Sequence, residues 1–111
     1  MVEHHPATLD LTYGALSHPV RREMLELLRA DKTRVTDLAD FFDISLAASS
    51  KHIQVLERAG LITRSISGRD HNLSIDARPL VEARDWIETY RSFWEARLDA
   101  LEAHFRGRTK A

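Results

Sequence analysis

Residues 43–61 read Asp-Ile-Ser-Leu-Ala-Ala-Ser-Ser-Lys-His-Ile-Gln-Val-Leu-Glu-Arg-Ala-Gly-Leu, and they narrow the fold more than any other stretch of the chain. They predict a helix over 45–59. Ser45 can cap it by accepting an amide hydrogen bond, and Gly60 can end it in a left-handed conformation. Ile44 and Leu61 bracket it with apolar anchors. Its outer side carries small polar and basic residues, Ser49, Ser50, Lys51, His52 and Gln54, and no acid occurs from Ser45 until Glu57. In a chain in which 30% of residues are charged, that face suits a DNA groove. The competing reading is an ordinary solvated helix face.

The flanking elements fit a helix-turn-helix. Residues 17–30 predict a helix with Pro19 in its first turn and Val20, Met24, Leu27 and Leu28 on one stripe. Residues 36–42 predict a short helix capped by Thr36, with Leu38, Ala39 and Phe42 available for burial. A tight turn then leads to Ser45. Two helices joined by a turn of three or four residues have helix-turn-helix spacing. Arg21 and Arg22 are expected to form ion pairs with nearby acids.

Beyond Gly60 the period changes from 3.6 to 2. Residues 61–67, then Gly68-Arg69-Asp70, then residues 71–75 predict a β-hairpin with a basic tip. Ile62 and Ile66 share a face interrupted by Arg64. From Pro79 to about Phe105, a long amphipathic helix carries Leu80, Ala83, Ile87, Tyr90, Trp94, Leu98, Leu101 and Phe105 at intervals of three and four. Trp86 and Phe93 widen that stripe. The helix would be roughly 40 Å long, with more apolar surface than a small domain can cover alone. A second copy of the chain is the expected cover, and the aromatic residues lie on the seam; a ligand pocket is the alternative use for Trp86, Tyr90, Phe93 and Trp94.

Composition sets the remaining bounds. At 111 residues the chain fits one domain, with a core over 12–105 and disordered ends at 1–10 and 106–111. It has no cysteine, which excludes disulfides, thiolate zinc sites and cysteine nucleophiles. The N-terminus lacks a signal pattern, and no apolar run approaches the ~20 residues that span a bilayer. A cytoplasmic protein with no membrane contact is expected. No carboxylate pair sits in an apolar surround, no Ser-His-Asp spacing occurs, and no glycine loop could cradle phosphate, so an enzyme is not expected.

The net charge is −1, which alone argues against a nucleic-acid binder. Its distribution argues otherwise. Residues 1–43 carry five bases against eight acids and residues 76–105 four against seven, whereas residues 44–75 carry four bases against two acids. The positive charge therefore lies on the capped helix and the hairpin. The basic tail of Arg106, Arg108 and Lys110 either adds non-specific attraction to DNA or serves as a solubilising end.

Several motifs resemble the ArsR-type winged-helix repressors, over roughly residues 12–105. They are His18-Pro19-Val20-Arg21, Val35-Thr36-Asp37-Leu38-Ala39, Ser50-Lys51-His52-Ile53-x-x-Leu56, Ala59-Gly60-Leu61-Ile62 and the hairpin at Gly68-Arg69. The terminal Trp86-x-x-x-Tyr90-Arg91-x-Phe93-Trp94-x-x-Arg97-Leu98 is similar to the subgroup without metal-binding boxes. The resemblance implies a mainly helical winged helix-turn-helix with one small hairpin and a long C-terminal dimerisation helix. It implies a two-fold dimer that places one helix of each chain in a major groove and the hairpin against flanking DNA.

Carried over residue by residue, the resemblance puts Leu46, Ala47, Ser50 and Lys51 in the groove, with Ser45, Ser49, His52 and Gln54 as neighbours and Arg64, Arg69 and His71 on the hairpin. For His52 a packing role competes with a phosphate contact. Relatives often have polar residues where Leu46 and Ala47 stand, and these two can only press on a thymine methyl. Ser50 and Lys51, helped by the hairpin and DNA shape, are expected to carry most of the recognition. The dimer seam implied is Leu80, Ile87, Tyr90, Trp94, Leu98, Leu101 and Phe105, together with the N-terminal segment. Metal-sensing relatives place a cysteine pair where Arg34 and Thr36 stand, and the terminal helix offers only His104 near its end, so neither a metal nor a cofactor is expected. His4 and His5 form a weak nickel or zinc pair at most. The expected partners are double-stranded DNA carrying an imperfect palindrome and a second copy of the chain, with promoter occlusion as the mode of action. The alternatives are a metal- or ligand-responsive sensor of the same fold, and a winged-helix protein-interaction module that does not bind DNA.

Overall fold

Two glycines and a serine set the local geometry around which the chain folds. In a computed structural model, which describes residues 6–109, the Ser45 hydroxyl accepts the Ala48 amide at 3.1 Å and starts helix α4 (Leu46–Arg58). Gly60 ends that helix at φ +75°, its amide bonding Glu57 O at 2.9 Å while the Leu61 amide bonds Leu56 O at 3.0 Å. This is a Schellman motif, with Leu56 and Leu61 as its buried apolar pair. Gly68, at φ +62°, opens a two-residue turn between strands β2 (Ile62–Ser67) and β3 (Asp70–Ile75). Positive φ at the first central residue is the requirement of a type II′ hairpin turn.

The full order is α1 (Pro6–Leu16), α2 (Pro19–Ala30), β1 (Thr33–Arg34), α3 (Val35–Phe42), α4, β2, β3 and α5 (Arg78–Thr109). The sheet is antiparallel with β3 in the centre, pairing Arg64 with Leu73 on one side and Thr33 with Leu73 on the other. α3 and α4 are joined through Asp43, which adopts φ 51° and lets the Ile44 amide bond Ala39 O, so the chain turns within three residues. Asp tolerates this left-handed conformation better than most residues. Met24, Leu28, Leu38, Ile53, Leu56, Leu61 and Leu73 form the buried core, drawn from α2, α3, α4, β3 and the residue following the Schellman turn.

Several expectations are corrected. Residues 6–10 and 106–109, expected to be disordered, are helical: the first belong to α1, which packs on α5 where the Tyr13 hydroxyl donates to Ala83 O at 3.0 Å, and the last continue α5, where Arg106 donates to Glu102 at 2.5 Å. The remaining end residues, with His4 and His5, lie outside the described residues. Thr36 does not cap α3: the N-cap is Arg34, and no side chain bonds the first amides. Arg21 and Arg22 bond carbonyls rather than acids. Arg21 reaches Ala15 O at 2.8 Å and Gly14 O at 3.1 Å, and Arg22 reaches Leu16 O at 2.7 Å, so both neutralise the C-terminal end of α1. Strand β1 has only two residues, too few to show a period.

Candidate nucleic-acid interface

Each residue of an α-helix advances about 100°, so Leu46, Ala47, Ser50, Lys51 and Gln54 fall within an arc of about 140° on α4. Ser50 is half-buried and the other four are exposed, as is Arg58, which continues the same face one turn beyond Gln54. Opposite them Ser49, Ile53 and Leu56 are buried. The solvent side of α4 is therefore uncharged or basic for its whole length, apart from Glu57 at the edge nearest the hairpin.

Ser49, expected on the DNA side, is fully buried, and its hydroxyl has no hydrogen-bond partner. Its place four residues before Ile53 put it on the core stripe. His52 also turns inward. Its ring packs on His18, with centroids 4.5 Å apart, and its Nδ1 lies 3.2 Å from Nη1 of Arg21. Burial, then His18, then Arg21 push its pKa below the ordinary 6.5. His52 thus fills the junction of α2 and α4.

The hairpin residues divide in a similar way. Arg69 at the turn is exposed. Arg64 is held within the molecule: its guanidinium grips both carboxylate oxygens of Glu57, at 2.6 and 3.2 Å, and its third nitrogen lies 3.0 Å from Nδ1 of His71. A cation so matched has little charge left for a phosphate. Between the hairpin and the N-terminal half of α4 lies a cleft of about 230 Å³, which brings Leu46, Ser50, Arg64, Arg69 and His71 together. Arg34 and Thr36 also line it; the sequence marks both as vacant metal positions, and Thr36 as a helix cap, but neither as part of a DNA-facing surface. Arg34 pairs with Asp37 at 3.0 Å and approaches Asp70 at 3.7 Å, bridging the start of α3 to the hairpin tip. Its side chain is half exposed, leaving it a cation at the rim of the cleft.

On α5 the apolar stripe is exposed. Ile87, Tyr90, Trp94, Leu98, Leu101 and Phe105 all lie on the surface of the single chain. Leu80 is the exception among the expected seam residues: it packs against the core, and its neighbour Ala83 is buried under α1. Trp86 makes an edge contact with Tyr13 of α1 at 5.8 Å and a tilted one with Tyr90 at 4.8 Å, so these aromatics form a packed row rather than an enclosed pocket. No helix among the described residues is long and apolar enough to cross a membrane.

Known proteins share this arrangement. A helix-turn-helix domain family matches residues 16–65. The transcriptional repressor SdpR of Bacillus subtilis (strain 168) is 29% identical over 71% of this chain and 88% of its own. The crystal structure of an ArsR family transcriptional regulator superposes with a TM-score of 0.79 at 31% identity, covering 85% of this chain and 97% of that one. An ArsR-like transcriptional regulator from Rhodococcus sp. RHA1 gives a TM-score of 0.74 at 27% identity, over 87% and 92% of the two chains. On this footing the chain is a helix-turn-helix transcriptional regulator, not an enzyme, and belongs to the ArsR family.

Proposed function

We propose that this regulator is a homodimeric, sequence-specific repressor that occludes a promoter by placing the exposed arc of α4 from each chain in successive major grooves. The observation that carries this reading is the division of α4 into a buried stripe at Ser49, Ile53 and Leu56 and an exposed arc of Leu46, Ala47, Lys51 and Gln54 that carries no acid before Glu57 in the last turn. Lys51 supplies the cation, Ser50 and Gln54 the groups that donate to or accept from base edges, and Leu46 and Ala47 contact with thymine methyls. Arg34 and Arg69, at the rim of the cleft and the hairpin turn, supply backbone contacts.

The dimer reading rests on α5. Its 32 residues extend about 48 Å, and the single chain has a radius of gyration of 20.1 Å, against about 13 Å for a compact chain of this length. Tyr90, Trp94 and Leu101 are 58%, 61% and 51% exposed on one side of that projecting helix. A second copy related by a two-fold axis covers the same stripe with itself.

Selection of bound duplexes from random DNA tests the proposal. The expected result is an imperfect palindrome with half-site centres separated by about 10 base pairs or a small multiple. A selected site without two-fold symmetry would contradict it.

A further inference from the structure

Glu57 is the only acid in α4, and it stands at the helix end beside the hairpin. Both of its carboxylate oxygens accept from Arg64 in the middle of β2. Through its remaining nitrogen Arg64 reaches His71 on β3, so one chain of polar contacts ties the last turn of α4 to both strands. The side chains of Glu57 and Arg64 are only 30% and 27% exposed, which shields the pair from salt more than a surface pair. Its geometry is two-pronged, and a forked pair fixes orientation as well as distance.

The hairpin extends beyond this tie by the pairs Ser65–Asn72, Ile66–His71 and Ser67–Asp70, ending at Arg69. On β2 the residues past Arg64 are exposed, Ile66 by 65%, so nothing on that strand beyond Arg64 is packed into the core. A two-stranded ribbon is marginal by itself. Its angle to α4 therefore depends on the contacts at and below Arg64, on His71, and on the approach of Arg34 to Asp70 at the tip.

We infer that Glu57 is a positioning residue for DNA recognition: acting through Arg64 and His71, it holds the hairpin at a fixed angle to α4 so that Arg69 meets the backbone flanking the groove. The inference rests on the DNA-reading role proposed for α4. Without the tie, the hairpin is ordered only on binding, and that ordering reduces affinity for any DNA long enough to reach it. DNA too short to meet the hairpin does not register the loss.

The test uses the duplex selected by the wild-type protein and the same duplex trimmed to the base pairs under the two α4 helices. The quantity read is the ratio of the two affinities, because removing an anion strengthens attraction to both duplexes and cancels in the ratio. Glu57→Gln is expected to shrink the preference for the long duplex by about tenfold, the scale of one lost charge-assisted bond. The Glu57→Gln/Arg64→Gln double variant is expected to lose no more than either single variant, since both changes break one tie. The charge-swapped Glu57→Arg/Arg64→Glu protein is expected to recover most of the preference.

Three results would overturn the inference. One is an unchanged ratio in Glu57→Gln. Another is an additive loss in the double variant. The third is a swapped protein that folds yet binds the long duplex worse than Glu57→Gln, which would make Arg64 a phosphate ligand. A wild-type protein that selects no duplex would instead remove the DNA-reading role, and this inference with it.

Discussion

Nη1 of Arg21 lies 3.2 Å from Nδ1 of His52, and because a guanidinium offers only donors, the imidazole accepts there and carries its single proton on Nε2. His18, its ring tilted 51° to that of His52, uses its own Nδ1 to accept the Val20 amide at 3.1 Å. At the junction between α2 and the reading helix, both histidines thus present Nδ1 to a donor. Burial, His18 and Arg21 lower the pKa of folded His52, so the unfolded chain takes up a proton that the folded chain resists. Stability is unaffected well above pH 6.5, falls as pH drops through the unfolded value, and levels off once folded His52 protonates. Urea unfolding of the wild type and His52→Gln at about pH 8 and about pH 5.5 checks this. The wild type should lose more stability than the variant on acidification; equal losses would show that His52 is not responsible.

Ser49 presents the opposite case, a hydroxyl desolvated for no bond. Ser49→Ala should stabilise the fold by about 1 kcal/mol, by removing the unsatisfied group and improving helix propensity. Chemical denaturation reads the change. A destabilisation of similar size would mean that the hydroxyl has a partner.

Trp94 lies on the surface of the single chain, so its contribution to a seam must appear in association rather than in folding of the monomer. Trp94→Ala should weaken dimerisation by about 2 kcal/mol or more, the scale of a buried aromatic anchor. Analytical ultracentrifugation over a dilution series measures it. An unchanged dissociation constant would move the seam away from this stripe.

At Gly60 the left-handed φ of +75° places an added Cβ 3.5 Å from Pro79 Cγ, an ordinary contact, so backbone conformation sets the cost of substitution. Gly60→Ala should destabilise the protein by about 1 kcal/mol. A thermal midpoint equal to that of the wild type would show that the Schellman turn has relaxed.

Most of the capping and turn chemistry was legible in the sequence because it acts locally: Ser45, Gly60 and Gly68 take the roles their residue types suggest, whereas Thr36 does not cap α3. The family was legible for the same reason, since its motifs lie at those boundaries. Partners distant in sequence were not. Arg64 looked free until the fold brought Glu57 against it, and His52 looked outward until α2 placed His18 and Arg21 beside it. Ser49 was misplaced by its polarity, although its spacing from Ile53 and Leu56 marks the core stripe. Helix α1 was unread because its buried face includes Thr12, whose hydroxyl bonds Thr8 O, so no apolar period marks it.

Lys51 is exposed at one edge of the arc that is proposed to enter the groove, and it bears the only cation of α4 before Arg58. The most direct measurement is the affinity of Lys51→Glu for the selected palindromic duplex, with the dimer verified by ultracentrifugation. Binding should fall by at least about a hundredfold, because a cation is lost and an anion set against the phosphates of each half-site. An intact dimer that binds the duplex with near wild-type affinity would contradict the placement of α4 in the groove.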